Sequence, residues 1–264
     1  MSDGEAAAVN YAADVDMVVC CGGDGTFNET ISGILNSGVE VPVGYIPAGS
    51  TNDFAASLHL SQDILQAARD IVEGEATRLD VGRFAGRYFS YVASFGLFTR
   101  ASYTTTQFAK NILGHAAYVL NGIQELSQLK TYPVCFELPD GRVLEDDFLF
   151  GAISNSTSVG GVLKLAEEQV NMQDGKLELL LVRAPKDIFE LRECVYALQQ
   201  QTYNSAMLTF LSTPSVIVSA PRDMNWSLDG EMEHGHDCAE VECVHNAITI
   251  YRSNAKEVAP YWIH

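Results

Sequence analysis

The chain has 264 residues, 47% of them hydrophobic and 19% charged, and its 16 basic against 34 acidic residues leave a net charge of −18. Such a composition fits one large or two modest folded domains and excludes a disordered chain. The charge repels both nucleic-acid phosphates and anionic headgroups, so it disfavours nucleic-acid binding and otherwise serves solubility.

Apolar runs such as 177–182 are too short to cross a bilayer, so no transmembrane segment is expected. Residues 1–10 carry Asp3 and Glu5 and no basic residue, unlike a secretory leader, which predicts a cytoplasmic protein. The scattered cysteines, Cys20, Cys21, Cys135, Cys194, Cys238 and Cys243, read as reduced, buried thiols rather than a disulfide framework.

In chain order, residues 16–21 are almost wholly apolar and stop at Gly22-Gly23-Asp24-Gly25, as a buried parallel strand entering a loop does. Phe27, Ile31, Ile34 and Leu35 then recur at helical spacing before Gly38. A second apolar run, 41–46, ends in Pro47-Ala48-Gly49-Ser50, and a short helix is predicted over 53–60. Ser61 is the predicted N-cap of a helix over 62–73, with Gly74 as its stop. This alternation predicts a parallel α/β layer over 1–79. Beyond it, 79–83, 87–95, 132–138, 148–154, 177–183, 215–219 and 239–244 read as strands, with helices only over 108–130 and 185–202. The second domain, 80–252, is therefore expected to be antiparallel and β-rich.

Three motifs carry chemistry. In Gly22-Gly23-Asp24-Gly25-Thr26-Phe27-Asn28-Glu29, the glycines let backbone N–H groups approach an anion, helped by the helix terminus that follows. Asp24 repels a bare phosphate but fits a site where a divalent cation stands between them; the bland alternative is a turn with Asp24 as a cap. The second, Pro47-Ala48-Gly49-Ser50-Thr51-Asn52-Asp53-Phe54-Ala55, also follows a strand, so both loops are predicted at one carboxyl edge of a sheet. The third, Asp229-Gly230-Glu231, is by itself only a turn signature. His234, His236, Cys238, Cys243 and His245 alternate as on strands and contain no zinc-type pair, so strand-surface histidines and small thiols are the favoured reading.

Together, GGDGTFNE, PAGSTNDFA and the late DGE resemble the diacylglycerol kinase catalytic-domain family, in its bacterial soluble branch, and the likeness extends over nearly the whole chain. GGDGT alone also occurs in NAD kinases, so a NAD kinase-like enzyme is the alternative within that class. The resemblance implies an α/β fold with an NAD-kinase-like parallel domain and an antiparallel β-rich domain, acting as an ATP- and Mg²⁺-dependent lipid kinase peripheral to the membrane. It implies ATP contacts at Gly22, Gly23, Asp24, Gly25, Thr26, Phe27, Asn28 and Ser50. Asp24 and Asp53 would organise Mg²⁺, Glu231 would be the general base, and Asp229 would orient its turn or touch the metal. A structural cation is implied at Asn171, Asp174 and Lys176. The resemblance leaves a homodimer open and does not name the lipid.

Two departures stand out. Ser50 replaces the family's usual Thr, keeping the hydroxyl. The family opens with a strand, a loop and a helix, and nothing before Asp16 is expected to supply them, since such an opening takes roughly thirty residues. A truncated nucleotide site, and with it an inactive binding module, is the expectation that follows. Residues 253–264 are expected to return to the first domain.

Overall fold

The computed structural model describes residues 2–97, 129–159 and 163–253. The chain divides into two compact units, Met1–Leu79 with the chain from Asn246 onward, and Asp80–His245.

The first unit opens with α1 (Asp3–Tyr11), where the sequence predicted no element; Ser2 caps it by accepting the Glu5 N–H at 3.4 Å. Its small residues explain why it was not read: Ala8 and Ala12 are buried against α2 (Asp24–Ser37) without a strong apolar stripe. A side chain at Gly33 would stand 2.5 Å from the Glu5 carbonyl and 2.6 Å from Ala8 Cβ, so the two helices touch backbone to backbone.

Next come β1 (Val18–Gly22) and β2 (Val43–Pro47), paired in parallel from Val18↔Val43 to Gly22↔Pro47. The prediction of a wholly buried β1 is corrected. Among the described residues β1 pairs with β2 alone, and its side chains alternate, with Cys20 buried but Val19 and Cys21 exposed. Gly38 ends α2 in the left-handed conformation. After α3 (Asp53–Ser57), α4 (Ile64–Glu73) lies over β2, with Ile71 filling the space above Gly44. Its N-cap is Asp63, which accepts the Gln66 N–H at 2.8 Å, and not Ser61; Ser61 supports Asp63 from outside the helix. The aromatic core here is Phe27, Tyr45 and Phe54.

β3 (Glu75–Phe84) leads into the second unit, where it pairs with β4 (Arg87–Phe89). β5 (Val92–Gly96) follows, so the single predicted strand over 87–95 is in fact two, interrupted at Ser90-Tyr91. β6 (Tyr132–Glu137) and β7 (Val143–Ser154) are antiparallel, and β7 also pairs β5 and β10 (Leu177–Arg183). Between them β8 (Ser158–Val159) and β9 (Leu163–Lys164) form a small ladder of their own. α5 (Ile188–Gln199) leads to β11 (Leu208–Thr213), which pairs β10, and to β12 (Ser215–Ser219). The hairpin of β13 (Trp226–Leu228) and β14 (Glu231–Glu233) adds to β5. β15 (Cys238–Arg252) pairs β12, and beyond His245 its Ile250 pairs Val43 of β2 in parallel. The predicted helix over 108–130 falls mostly outside the described residues, as do Gly160, Gly161 and the end of the chain.

The core of the second unit is aromatic. Trp226 lies 4.7 Å from Phe84 and 5.0 Å from Phe95, ring centre to ring centre. Phe89 and Phe95 lie across glycines directly opposite them in the sheet, Gly82 and Gly151. Each ring occupies the space a side chain at its glycine would need. No described helix is long and apolar enough to cross a membrane.

Candidate active site

In the first unit the two motif loops follow paired strands and are pressed together. A Cβ on Gly49 would stand 2.5 Å from Gly23 Cα, which restricts position 49 to glycine by contact, and one on Gly23 would stand 3.2 Å from Gly49 Cα, a tight fit. Gly22 is held similarly, because a Cβ there would meet the Thr26 side chain at 2.8 Å. The predicted four-residue loop is shorter than its sequence suggested. α2 begins at Asp24, which places Gly25 and Thr26 in its first turn, and Phe27 N–H donates to the Gly23 carbonyl at 3.0 Å. Gly25 is half-buried and Thr26 and Ser50 are exposed, whereas Asn28 is buried.

Asp24 joins the loops. Its carboxylate accepts the N–H of Asp53 at 3.0 Å and of Phe54 at 3.2 Å, one on each oxygen. It thus caps α3 from across the sheet edge rather than capping its own helix, and only 9% of it is exposed. Asp53 is buried at the start of the same short helix. Asn52 closes the second loop from inside: its amide accepts the Gly49 N–H and donates to the Gly49 carbonyl, both at 2.9 Å. It does so from a left-handed backbone, φ 52°, which asparagine tolerates better than most residues. Phe27 is corrected. It is fully buried, with its ring 4.4 Å from Tyr45 and 4.6 Å from Phe54, so it supports the loop from the core and has no surface for ATP.

In the second unit, Asp229-Gly230 is the two-residue turn between β13 and β14, and both residues have positive φ, 49° and 86°. That is the hairpin turn whose twist matches its strands. The Asp229 carboxylate is fully engaged. It accepts the Ser90 N–H at 2.5 Å and hydroxyl at 2.8 Å, the Tyr91 N–H at 3.0 Å and the Val92 N–H at 2.9 Å. These bonds account for the break between β4 and β5. Burial raises the Asp229 carboxyl to about 6, against the opposing pull of those four donors. Of the two roles expected for Asp229, orienting its turn or touching the metal, these bonds fit the first.

Glu231 leaves that turn with its side chain about half exposed and 3.4 Å from the Arg87 guanidinium, which also pairs with Glu233. Arg87 follows Ala85-Gly86, a second two-residue turn with positive φ throughout. The sequence reading missed Arg87 and the amides of 90–92. Asp-Gly was the available turn signal for the one hairpin, but Ala-Gly for the other is weak.

The remaining candidates separate. Asp174 Oδ1 accepts the Lys176 N–H at 3.0 Å and Asn171 Oδ1 the Gln173 N–H at 3.2 Å, side-chain-to-backbone turns that order this segment. His236 contacts Glu233 at 3.1 Å and His245 contacts Asp80 at 2.8 Å. Among the described residues no three His, Cys, Asp or Glu side chains gather to hold a metal.

A glycine-cradled parallel edge in one unit and a β-rich second unit carrying a DGE hairpin define an α/β enzyme of the phosphotransferase type. Residues 2–84 match the model of the diacylglycerol kinase catalytic domain, so the match begins at the N-cap of α1. The Bacillus subtilis (strain 168) diacylglycerol kinase is 32% identical over 219 residues, covering 83% of this chain and 72% of that protein. The Staphylococcus saprophyticus diacylglycerol kinase is 33% identical over 226 residues, 85% of this chain and 73% of that one. The fold matches the crystal structure of a diacylglycerol kinase from Bacillus anthracis str. Sterne with a TM-score of 0.71 at 21% identity, over 96% of this chain and 82% of that chain. The chain belongs to the diacylglycerol kinase family, and it is a lipid kinase.

Proposed function

We propose that this kinase transfers the γ-phosphate of ATP to the free hydroxyl of diacylglycerol, with Mg²⁺, and that it works at the membrane surface. In this reading Met1–Leu79 with the chain from Asn246 onward binds the nucleotide and Asp80–His245 takes the lipid. The observation that carries it is the corner where Gly23 meets Gly49 in front of Asp24. Backbone N–H groups can approach phosphate there only because neither loop carries a side chain at the contact.

A divalent cation fits this corner. Each Asp24 oxygen accepts a single N–H bond, which leaves it electron pairs for a hard cation, and Asp53 adds a carboxylate at the next helix start. When bound, Mg²⁺ would neutralise charge on the transferring phosphoryl group.

The protein's own residues supply position and proton transfer. Gly22, Gly23 and Gly25 with Thr26 and Ser50 hold the phosphates. The carboxylate of Glu231 accepts the proton of the lipid hydroxyl as its oxygen bonds to the γ-phosphorus, and the bond to ADP breaks. Asp229 keeps the turn that presents Glu231.

The test is incorporation of labelled phosphate from ATP into dioctanoylglycerol in mixed micelles, with and without a chelator, by the intact protein and by Glu231→Gln. Chelator-sensitive product from the intact protein and none above background from NAD are the results expected. Full turnover with chelator present would remove Mg²⁺ from the reading. Product from NAD but none from a panel of diacylglycerols would overturn the lipid acceptor.

A further inference from the structure

We propose that Arg87 is a positioning residue for the transfer step: anchored by Glu233, its guanidinium orients the Glu231 carboxylate toward the lipid hydroxyl. The inference rests on the reading of Glu231 as the base and adds a residue that no catalytic motif contains.

The geometry is a chain of four side chains. His236 Nε2 contacts Glu233 Oε1 at 3.1 Å. The other oxygen of Glu233 pairs with Arg87 Nη1, and Arg87 Nη2 reaches Glu231 Oε2 at 3.4 Å. Exposure falls away from the reacting end: the Glu231 side chain is 51% exposed, Arg87 46% and Glu233 15%. Glu233 is therefore the fixed post and Glu231 the free end. Arg87 suits the place between because its planar fork offers parallel N–H donors to two carboxylates at once.

Tight hairpin turns place both residues. Arg87 is the first strand residue after the Ala85-Gly86 turn, and Glu231 is the first after Asp229-Gly230. The two hairpins are tied by the four hydrogen bonds that Asp229 accepts from residues 90–92. Glu231 alone is a long, exposed side chain with several rotamers, most of which aim its carboxylate away from any one point. A base placed by its backbone only would spend much of its time misaligned, and alignment is what proton transfer needs. The exposure bounds the effect. An ion pair this open to water contributes modestly, which as a rate corresponds to about two- to fivefold.

The experiment is a double-mutant cycle on kcat with ATP and dioctanoylglycerol in mixed micelles. Arg87→Gln is expected to lower kcat about two- to fivefold with little change in either KM, and Arg87→Lys to lie between it and the intact protein. In a Glu231→Gln background, Arg87→Gln is expected to cause no further loss, because the group it orients is gone. Glu233→Gln is expected to mimic Arg87→Gln in part. A raised KM for ATP, or the same further loss in the Glu231→Gln background, would overturn the proposal by showing that Arg87 acts on substrate directly. An unchanged kcat in Arg87→Gln would overturn it as well. Near-normal turnover by Glu231→Gln alone would instead overturn the base reading on which the proposal rests.

Discussion

Each unit holds a motif carboxylate in place, and the two do it in opposite ways. Asp24 is buried by the closeness of two glycine loops and grips the start of a neighbouring helix, so the backbone provides the contact surface and the side chain ties it together. At the second hairpin the backbone turn and the buried Asp229 are scaffold, and Glu231, the proposed base, stands half exposed beyond it. A nucleotide's phosphates need close, fixed donors, whereas an entering alcohol needs a base with room around it. On the proposed reading, the difference in exposure follows that difference in task.

The contrast breaks most sharply at Glu231. Glu231→Gln is expected to lower kcat by roughly 10²–10⁴, the usual contribution of a positioned base, while the fold and ATP binding persist. Steady-state kinetics at saturating ATP and Mg²⁺ with a thermal melt checks both halves of the statement. Rescue of the rate by excess Mg²⁺ would assign Glu231 to the metal instead.

Asp229→Asn tests the scaffold half. The amide brings a donor into a nest of four donors, and a loss of about 3 kcal/mol is expected in urea unfolding at neutral pH, within the range for a buried group left unsatisfied. The pH dependence has a definite sign. The folded carboxyl titrates near 6, above its ordinary value, so between about pH 4 and 6 the folded state binds more protons than the unfolded one. This group therefore makes stability fall as pH rises through that window, by about 3 kcal/mol in all. The intact protein should lose more stability between pH 4 and 6.5 than Asp229→Asn does. Equal slopes would place the carboxyl at its ordinary value.

In the first unit, Gly49→Ala should cost about 1–3 kcal/mol, since the new methyl meets Gly23 Cα and Asn52 Oδ1 and the loops must part. Phosphate binding should weaken with it, measured by ATP titration. Asn52→Gly sharpens the point with the smallest effect. It keeps the positive φ and loses the two bonds to Gly49, for about 1 kcal/mol.

Much of this was legible in the sequence. The strand–glycine–helix order over 16–38 and the later turn-linked strands carry strong periodicity and strong stops, and the three motifs in order marked the family. What escaped has physical causes. α1 packs through Ala8, Ala12 and Gly33, which leave little apolar signature. The break at Ser90-Tyr91 depends on a carboxylate far along the chain, so nothing local announces it. Phe27 sits inside a phosphate motif, yet the reason it is aromatic is the ring stack behind the loop. Asp24 was weighed between metal ligand and cap, and capping across to another helix was a third arrangement that spacing alone does not express.

The contact between Gly23 and Gly49 also constrains how this protein can change. At most tight spots in a protein, a larger residue on one side can be accommodated by a smaller one opposite. Here both partners are already the smallest residue there is, with a hypothetical methyl on Gly49 only 2.5 Å from the other backbone. No substitution at position 23 restores the fit once position 49 is enlarged, so a route through sequence space that enlarges Gly49 must part the two loops first. Variant libraries built on this scaffold should hold positions 23 and 49 fixed and spend their diversity elsewhere.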